Sequence, residues 1–441
     1  MKSTRRSFLA TAAGATAAGM GLHVLDVPLL RNRLLAAPVL GNKKLLFIFQ
    51  RGGMDGIHAV IPRGDNEYNL TNRPTLFVPE SEAYDLDNGF AQLHPRAAPL
   101  QEVFEAGDLA IVHRVGYNGQ SRSHFDSQKY WENGTLDREL EVGIFNRHLA
   151  ASLAAQGNDF AAVGLASNLM VALRGPTAVT NFERPEEFRF RGTDAVVAKF
   201  VGNVPGPGLP GRGFLGFYGG APSFPEKPYR DALHRTGVAV ADAMALLRDG
   251  DIEAGGYVPA GGAEYPDGEF GEKLKIAAQL LKSTPVQVLG IDLDGWDTHS
   301  GQAGRFDELI YDLAMGFRAL SRDLSEIWQD TTVVTMTEFG RTSRENGSRG
   351  TDHAEATVLW VGGGAVNGGV YNCDASTWKN GHMFSAEGGR YLAHRTDFRS
   401  VLSEIFAGHF GDSEDVLAQT IPNLAQLRAD DPVGFEALGI F

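Results

Sequence analysis

The amino-acid sequence predicts an α/β protein with a mostly parallel sheet covered on both faces, and three observations carry that expectation. Short continuous apolar runs recur along the chain without the polar alternation of a half-exposed strand. Between them lie segments of helical length whose apolar residues repeat every three or four positions. Of all residues, 43% are hydrophobic and 21% charged, which supplies enough apolar material for a large core. Strands alternating with such helices mark crossover units, and in sheets of that kind ligands gather at the carboxyl ends of the strands.

Taken in order, the chain begins MKSTRRSFL over Met1 to Leu9, with paired Arg5 and Arg6 ahead of Phe8 and Leu9, and continues as a mild Ala/Gly-rich run from Ala10 to Leu22. This resembles a twin-arginine export signal. The run is too short and too weakly apolar for a stable membrane span of about 20 residues. Residues 1–40 are therefore set apart as signal and linker, and 41–441 are expected to form a single domain. The twin-arginine export machinery is the first expected partner, and a periplasmic or otherwise exported location follows. That route carries proteins already folded, often around a cofactor.

The first strand is expected at Lys44 to Phe49, ended by Arg51-Gly52-Gly53, and the next at Leu109 to Val112. Helices follow over Ser123 to Glu132 and Ile144 to Ala155. Gly202 to Gly220 and Gly255 to Gly268 are Gly/Pro-rich and are expected as long loops or an inserted cap around 202–268, with a helix over Tyr229 to Arg248 between them. Beyond them the periods predict helices at Glu272 to Lys282, Phe306 to Trp328 and Thr396 to Ala407, and strands at Val286 to Ile291, Thr332 to Met336 and Thr357 to Val361.

Composition narrows the function. Lys and Arg number 40 against 54 Asp and Glu, a net charge of −14, which disfavours binding that neutralises nucleic-acid phosphates or an anionic membrane. The single Cys373 excludes an internal disulfide and a thiolate metal cluster.

Polar clusters follow the strands or open a helix. Gly52-Gly53-Met54-Asp55-Gly56 brings a carboxylate to a sharp turn after the first strand, where an ordinary turn aspartate is the plainer reading. In Asp294-Gly295-Trp296-Asp297-Thr298-His299, Asp297 and His299 lie two apart, so on an extended backbone both face one way and can reach one metal. Thr337-Glu338-Phe339-Gly340-Arg341 sets a carboxylate at a strand end with Arg341 near enough to hold an anionic oxygen, or simply to pair with Glu338. Gly350-Thr351-Asp352-His353 offers one ligand and one supporting residue. Ser123 is either the N-cap of a helix, with Asp126 three residues on, or a nucleophilic hydroxyl at a helix start, and Ser121 and His124 flank it. Oxygen and nitrogen donors of this mixture suit Zn²⁺, Mn²⁺ or Mg²⁺.

The set GGMDG, SRSHFDSQKYWENG, DGWDTHSGQ, TEFGRTSRENGSRGTDHA and GGGAVNGGVY, behind a twin-arginine signal, resembles the bacterial family known as domain of unknown function 1501 from about Lys43 to about Leu427. That family is grouped by fold with the alkaline phosphatase and sulfatase superfamily. The resemblance implies a three-layer α/β/α sandwich with metal ligands at the strand ends. It further implies that Asp55, Asp297, His299, Glu338 and His353 hold a divalent metal and that Ser123, with Ser121 as the alternative, is the helix-capping nucleophile; Asp352 and His124, beside His353 and Ser123, are expected in support. Glu338 has Phe339 beside it where many members have an Asp-His pair, and Ala354 follows His353 where glycine is usual.

The expected function is that of an exported metal-dependent hydrolase of phosphate or sulfate esters. Ser123 or a metal-bound water would attack, and Arg341 would steady the charge on the transferred group. The alternative is a non-catalytic envelope protein that keeps the fold and binds a carbohydrate or a partner protein. An anionic small molecule or glycan is accordingly the expected ligand.

Overall fold

The computed structural model describes residues 43–152, 160–188 and 256–441 apart from Glu387, with isolated positions at 158 and between 240 and 252. The expected export signal, the Gly202 to Gly220 stretch and most of the expected Tyr229 to Arg248 helix lie outside the described residues.

The sheet is built outward from its most apolar strand. β1 (Lys44–Arg51) lies between β8 (Val288–Asp294) and β9 (Thr331–Met336) and is parallel to both. Beyond β8 come β6 (Ala162–Leu165) and β7 (Val179–Asn181), also parallel. Beyond β9 come β10 (Thr357–Gly362) and then β5 (Leu109–Gly116), whose far edge carries β11 (Gly369–Tyr371) and β12 (Thr396–Asp397). A small antiparallel sheet of β2 (Val60–Pro62), β3 (Tyr84–Asp85) and β4 (Ala91–Leu93) stands apart.

The expectation of a mostly parallel sheet is corrected: the sheet is mixed, because β10 runs antiparallel to both β5 and β9. The reason is its connection. Residues 337–356 contain no helix among the elements, and a parallel return would need a crossover of the helical kind. The consequence is functional, since the amino end of β10 then sits at the same edge as the carboxyl ends of β1, β8 and β9.

Side chains of β1 alternate between two cores. Leu46 and Ile48 join the core covered by α2 (Leu100–Glu105), α5 (Glu269–Ser283) and α6 (Gln302–Asp323). Leu45, Phe47 and Phe49 join the other, covered by α3 (His124–Asn133), α4 (Ile144–Ala151), α7 (Phe398–Glu404) and α8 (Glu414–Thr420). Phe47 stacks on Phe145 with ring centroids 4.4 Å apart. Each such side chain contributes about 1.5–3 kcal/mol by leaving water, which is why β1 is apolar without interruption from Leu45 to Phe49. Among the described residues no helix is long and apolar enough to cross a membrane.

Element ends shift for local reasons. The helix expected from Thr396 starts at Phe398, because Thr396 and Asp397 pair with β5 and the Asp397 carboxylate caps the helix through the Arg399 amide. The helix expected through Trp328 stops at Asp323, whose fully buried carboxylate accepts from the Tyr257 and Tyr265 hydroxyls, the Ala260 amide and Lys282 Nζ at 2.7–2.9 Å. Burial alone would raise this carboxyl; the bonds from Lys282, Tyr265 and the others overcome it and hold it below its ordinary value of 3.8. The stability it contributes is therefore complete above about pH 4 and is lost as pH falls through the lower folded value. Asp323→Leu is expected to cost roughly 2–4 kcal/mol at pH 7, because two phenols and an ammonium lose their acceptor. Denaturant midpoints at pH 7 measure that cost, and it should shrink when the titration is repeated at pH 3.

Candidate metal centre

Three connections meet at the sheet edge defined above. After β8 the chain turns at Gly295, which has φ +107, and Trp296 is tied back by its amide to the Arg51 carbonyl at 3.0 Å. The next residues alternate as the sequence predicted. Asp297 and His299 face one way, with His299 Nε2 3.2 Å from Asp297 Oδ1, while Thr298 faces inward to Gln302 at 3.0 Å. Gly52, at φ +122, lets this segment pass: a Cβ there would stand 2.2 Å from the Asp297 amide nitrogen.

The second connection, after β9, folds as a hairpin in which Arg341 and His353 pair across an isolated bridge. Thr342 N donates to Asp352 O at 2.8 Å and Ala354 N to Gly340 O at 2.9 Å. Gly350 lies against the Thr298 carbonyl, 2.4 Å from where its Cβ would be, so the hairpin closes directly on the Asp297–His299 segment.

The third is the start of α3. Ser123 caps it with its hydroxyl 3.5 Å from the Asp126 amide, Ser121 Oγ accepts from the Ser123 amide at 3.2 Å, and His124 is the first helical residue.

These pieces bring His124, Asp297, His299 and His353 together. His124, Asp297 and His353 each offer a ligand atom, all within 4.8 Å of one another. Asp297 Oδ1 is 3.2 Å from His353 Nε2, and Oδ2 is 3.5 Å from His124 Nε2. His299 Nε2 lies 2.9 Å from His353 Nε2.

The opposite nitrogen of each ring is already engaged. His124 Nδ1 meets Glu338 Oε1 at 2.8 Å, His299 Nδ1 meets Asp352 Oδ1 at 3.0 Å, and His353 Nδ1 meets the Arg122 carbonyl at 2.9 Å. An ionised carboxylate or a carbonyl only accepts, so each Nδ1 carries the proton. The Nε2 atoms of the three rings are thereby turned toward Asp297, the arrangement of histidines oriented for a metal by partners on their far side.

The expected site residues thus divide. Asp297, His299 and His353 stand in the cluster, and His124, expected only in support, joins them. Glu338 lies beneath it: fully buried, it accepts through Oε1 from His124, from the Gly52 amide at 2.8 Å and from Gln128 at 2.9 Å, and through Oε2 from Thr337 at 3.2 Å. Asp352 holds His299. Asp55 is not brought to the cluster; its carboxylate meets Arg73 at 2.9 and 3.2 Å and Gln302 at 2.7 Å, and caps the one-turn helix α1 (Gly56–Ala59). Arg341 is buried and donates to the carbonyls of Gly52, Gly53 and Thr351 at 2.6–2.7 Å and to Asp297, so its planar fork fastens the turn after β1 and the hairpin to the Asp297 segment. Phe339 fills the place beside Glu338, its ring centroid 4.9 Å from that of His124 and 4.5 Å from that of His353.

The electrostatics follow from these partners. The bond to Glu338 raises His124 above its ordinary value against the opposing effect of burial, whereas burial lowers His353. Burial pushes the Asp297 and Glu338 carboxyls up, but Arg341 and His353 around the first, and His124 and Gln128 around the second, bring both below the usual carboxylate range.

Comparison with known proteins agrees in part with the sequence resemblance. The family model described as "Protein of unknown function (DUF1501)" matches residues 229–382. That stretch holds Asp297, His299, Glu338, Arg341, Asp352 and His353, but not His124 or Asp55. No curated protein and no solved structure matches the chain.

Proposed function

We propose that the protein is an exported, metal-dependent hydrolase of phosphate or sulfate esters on an alkaline phosphatase-like fold, with His124, Asp297, His299 and His353 holding a divalent ion. The observation that carries this reading is the 2.9 Å approach of the His299 and His353 Nε2 atoms, whose Nδ1 sides are both spent on acceptors. Two ring nitrogens at that separation share either a proton or a cation, and the Asp297 carboxylate 3.2 Å from both adds an anionic donor that favours the cation. Three imidazoles and one carboxylate favour Zn²⁺ or Mn²⁺ over Mg²⁺, which takes mostly oxygen ligands. The chemistry such an ion supplies is Lewis-acid polarisation of an ester oxygen. Glu338, Asp352 and the Arg122 carbonyl orient the rings, Arg341 fixes Asp297, and Ser123, whose cap bond is long at 3.5 Å, is the hydroxyl that directly precedes His124.

Metal analysis of the purified chain, followed by an ester panel, tests the reading. Stoichiometric Zn or Mn with ester turnover supports it; no tight divalent ion and no turnover with any added ion ends it. The second reading, a non-catalytic envelope protein, draws support from Arg341, whose donors are taken up by carbonyls and Asp297 instead of facing a ligand. A bound ion without turnover, together with one stoichiometric partner recovered from a periplasmic extract, favours it.

Glu338→Gln is expected to weaken metal affinity roughly 10–100-fold, because the neutral amide leaves the His124 ring less basic and less firmly held. Competition with a chromophoric chelator measures this, and an unchanged affinity would remove Glu338 from the supporting role.

A further inference from the structure

Two threonines sit within the segments that carry the cluster. Thr298 separates Asp297 from His299, and Thr351 lies two positions before His353. Both are buried, and both hydroxyls donate to one atom, Oε1 of Gln302, at 3.0 and 2.5 Å. The Trp296 carbonyl, also within reach of the Thr298 hydroxyl, is farther at 3.4 Å. The Thr351 amide donates to the Thr298 carbonyl at 3.2 Å, so the two segments run against each other while the glutamine oxygen joins their side chains.

Gln302 is the first residue of α6 and has no solvent exposure. Asp55 decides which end of its amide faces the threonines. That carboxylate answers the charge of Arg73 and can only accept, so it takes the Nε2 side of the amide at 2.7 Å and turns Oε1 the other way. The bonds therefore run in one direction, from the threonine hydroxyls to Gln302, and from Gln302 and Arg73 to Asp55. With the oxygen fixed, each threonine spends its one proton on it. A shared acceptor couples its donors, because loss of either hydroxyl already unfastens one segment from the other.

We propose that Asp55, Gln302, Thr298 and Thr351 form a positioning network that sets the Asp297–His299 segment against His353 and thereby fixes the ligand geometry of the metal centre. Asp55, expected from the sequence as a ligand, acts through two successive hydrogen bonds instead of by contact with the ion. This rests on the reading of the cluster as a metal centre.

Replacing Gln302 would strand the Asp55 carboxylate, so the test alters the donors. Thr298→Val and Thr351→Val, which keep the shape and drop the hydroxyl, are made singly and together in the full chain. Co²⁺, a spectroscopic stand-in for Zn²⁺, is bound in competition with a chelator, and its visible absorption band reports the ligand geometry. Each single variant is expected to bind Co²⁺ about tenfold more weakly, the lower end of the range for groups that orient ligands, and to shift the band. Because the acceptor is shared, the double variant should lose less than about threefold beyond either single one, whereas independent contributions would multiply to about a hundredfold. Thr298→Ser and Thr351→Ser retain the hydroxyl and should keep the affinity and band of the unaltered chain. Unchanged Co²⁺ binding in the valine variants, losses that multiply, or serine variants as weak as the valine ones overturn the network and leave the metal centre standing. Failure of the unaltered chain to bind Co²⁺ overturns the proposed function and this network with it.

Discussion

Asp55→Ala is expected to destabilise the folded protein by about 3–5 kcal/mol, the range for removing one partner of a buried ion pair. Asp55 and Arg73 are both essentially without solvent exposure. The carboxylate is held below its ordinary value because Arg73, with help from His58 and Gln302, outweighs the burial that would raise it. Alanine leaves the guanidinium charged in a dry interior with only the Thr342 and Ser343 carbonyls as acceptors, at 3.1 and 2.9 Å. Cap loss at α1 adds a smaller term, roughly 1 kcal/mol. Replacing both partners, with Asp55→Leu and Arg73→Met, should recover most of the loss, since no charge is then stranded. Urea midpoints of the single and double variants check this. Metal content discriminates further: the folded fraction of Asp55→Ala should retain its ion, and an ion lost without loss of stability would place Asp55 among the ligands.

His353→Ala is expected to behave in the opposite way. It removes one of the cluster's imidazoles and should lower metal affinity by at least roughly 100-fold, going beyond the 10–100-fold typical of an outer partner. In the metal-free state the same change should cost less than about 1 kcal/mol, because the side chain is partly in solvent and the Asp297 and His299 side chains it meets are themselves exposed. Chelator competition and a metal-free denaturation curve on one sample separate the two quantities. A large stability loss with unaltered metal affinity would make His353 a packing residue and remove the basis of the centre.

The contrast between these residues shows what was legible. Asp297 and His299 could be paired because the period of an extended chain is two, so a local rule sufficed. Lys44 to Phe49 could be read as a doubly buried strand for an equally local reason, its unbroken apolar run. The roles of Asp55, Glu338 and His124 could not be separated by any local rule. Each lies beside the right kind of loop, but its role depends on a partner far away in sequence: Gln302 and Arg73 for Asp55, and for Glu338 a histidine 214 positions earlier. Arg341 likewise resembles an anion-binding residue until the carbonyls of Gly52 and Gly53, nearly 300 positions away, are seen to take up its donors.

What the chain determined by itself was the alternation of strand and helix, the collection of polar motifs at strand ends, and the kinds of donor available there, because these depend on spacing and composition within a few residues. Only the tertiary structure decided which donors face a common point and which are turned away into ion pairs. That choice follows from β10 entering the sheet antiparallel, which returns His353 to the edge where β8 delivers Asp297 and His299, and from α3 setting His124 over Glu338. A carboxylate in such a place becomes a ligand or a support according to which cation or N–H reaches it first, and that is settled by packing between segments hundreds of residues apart.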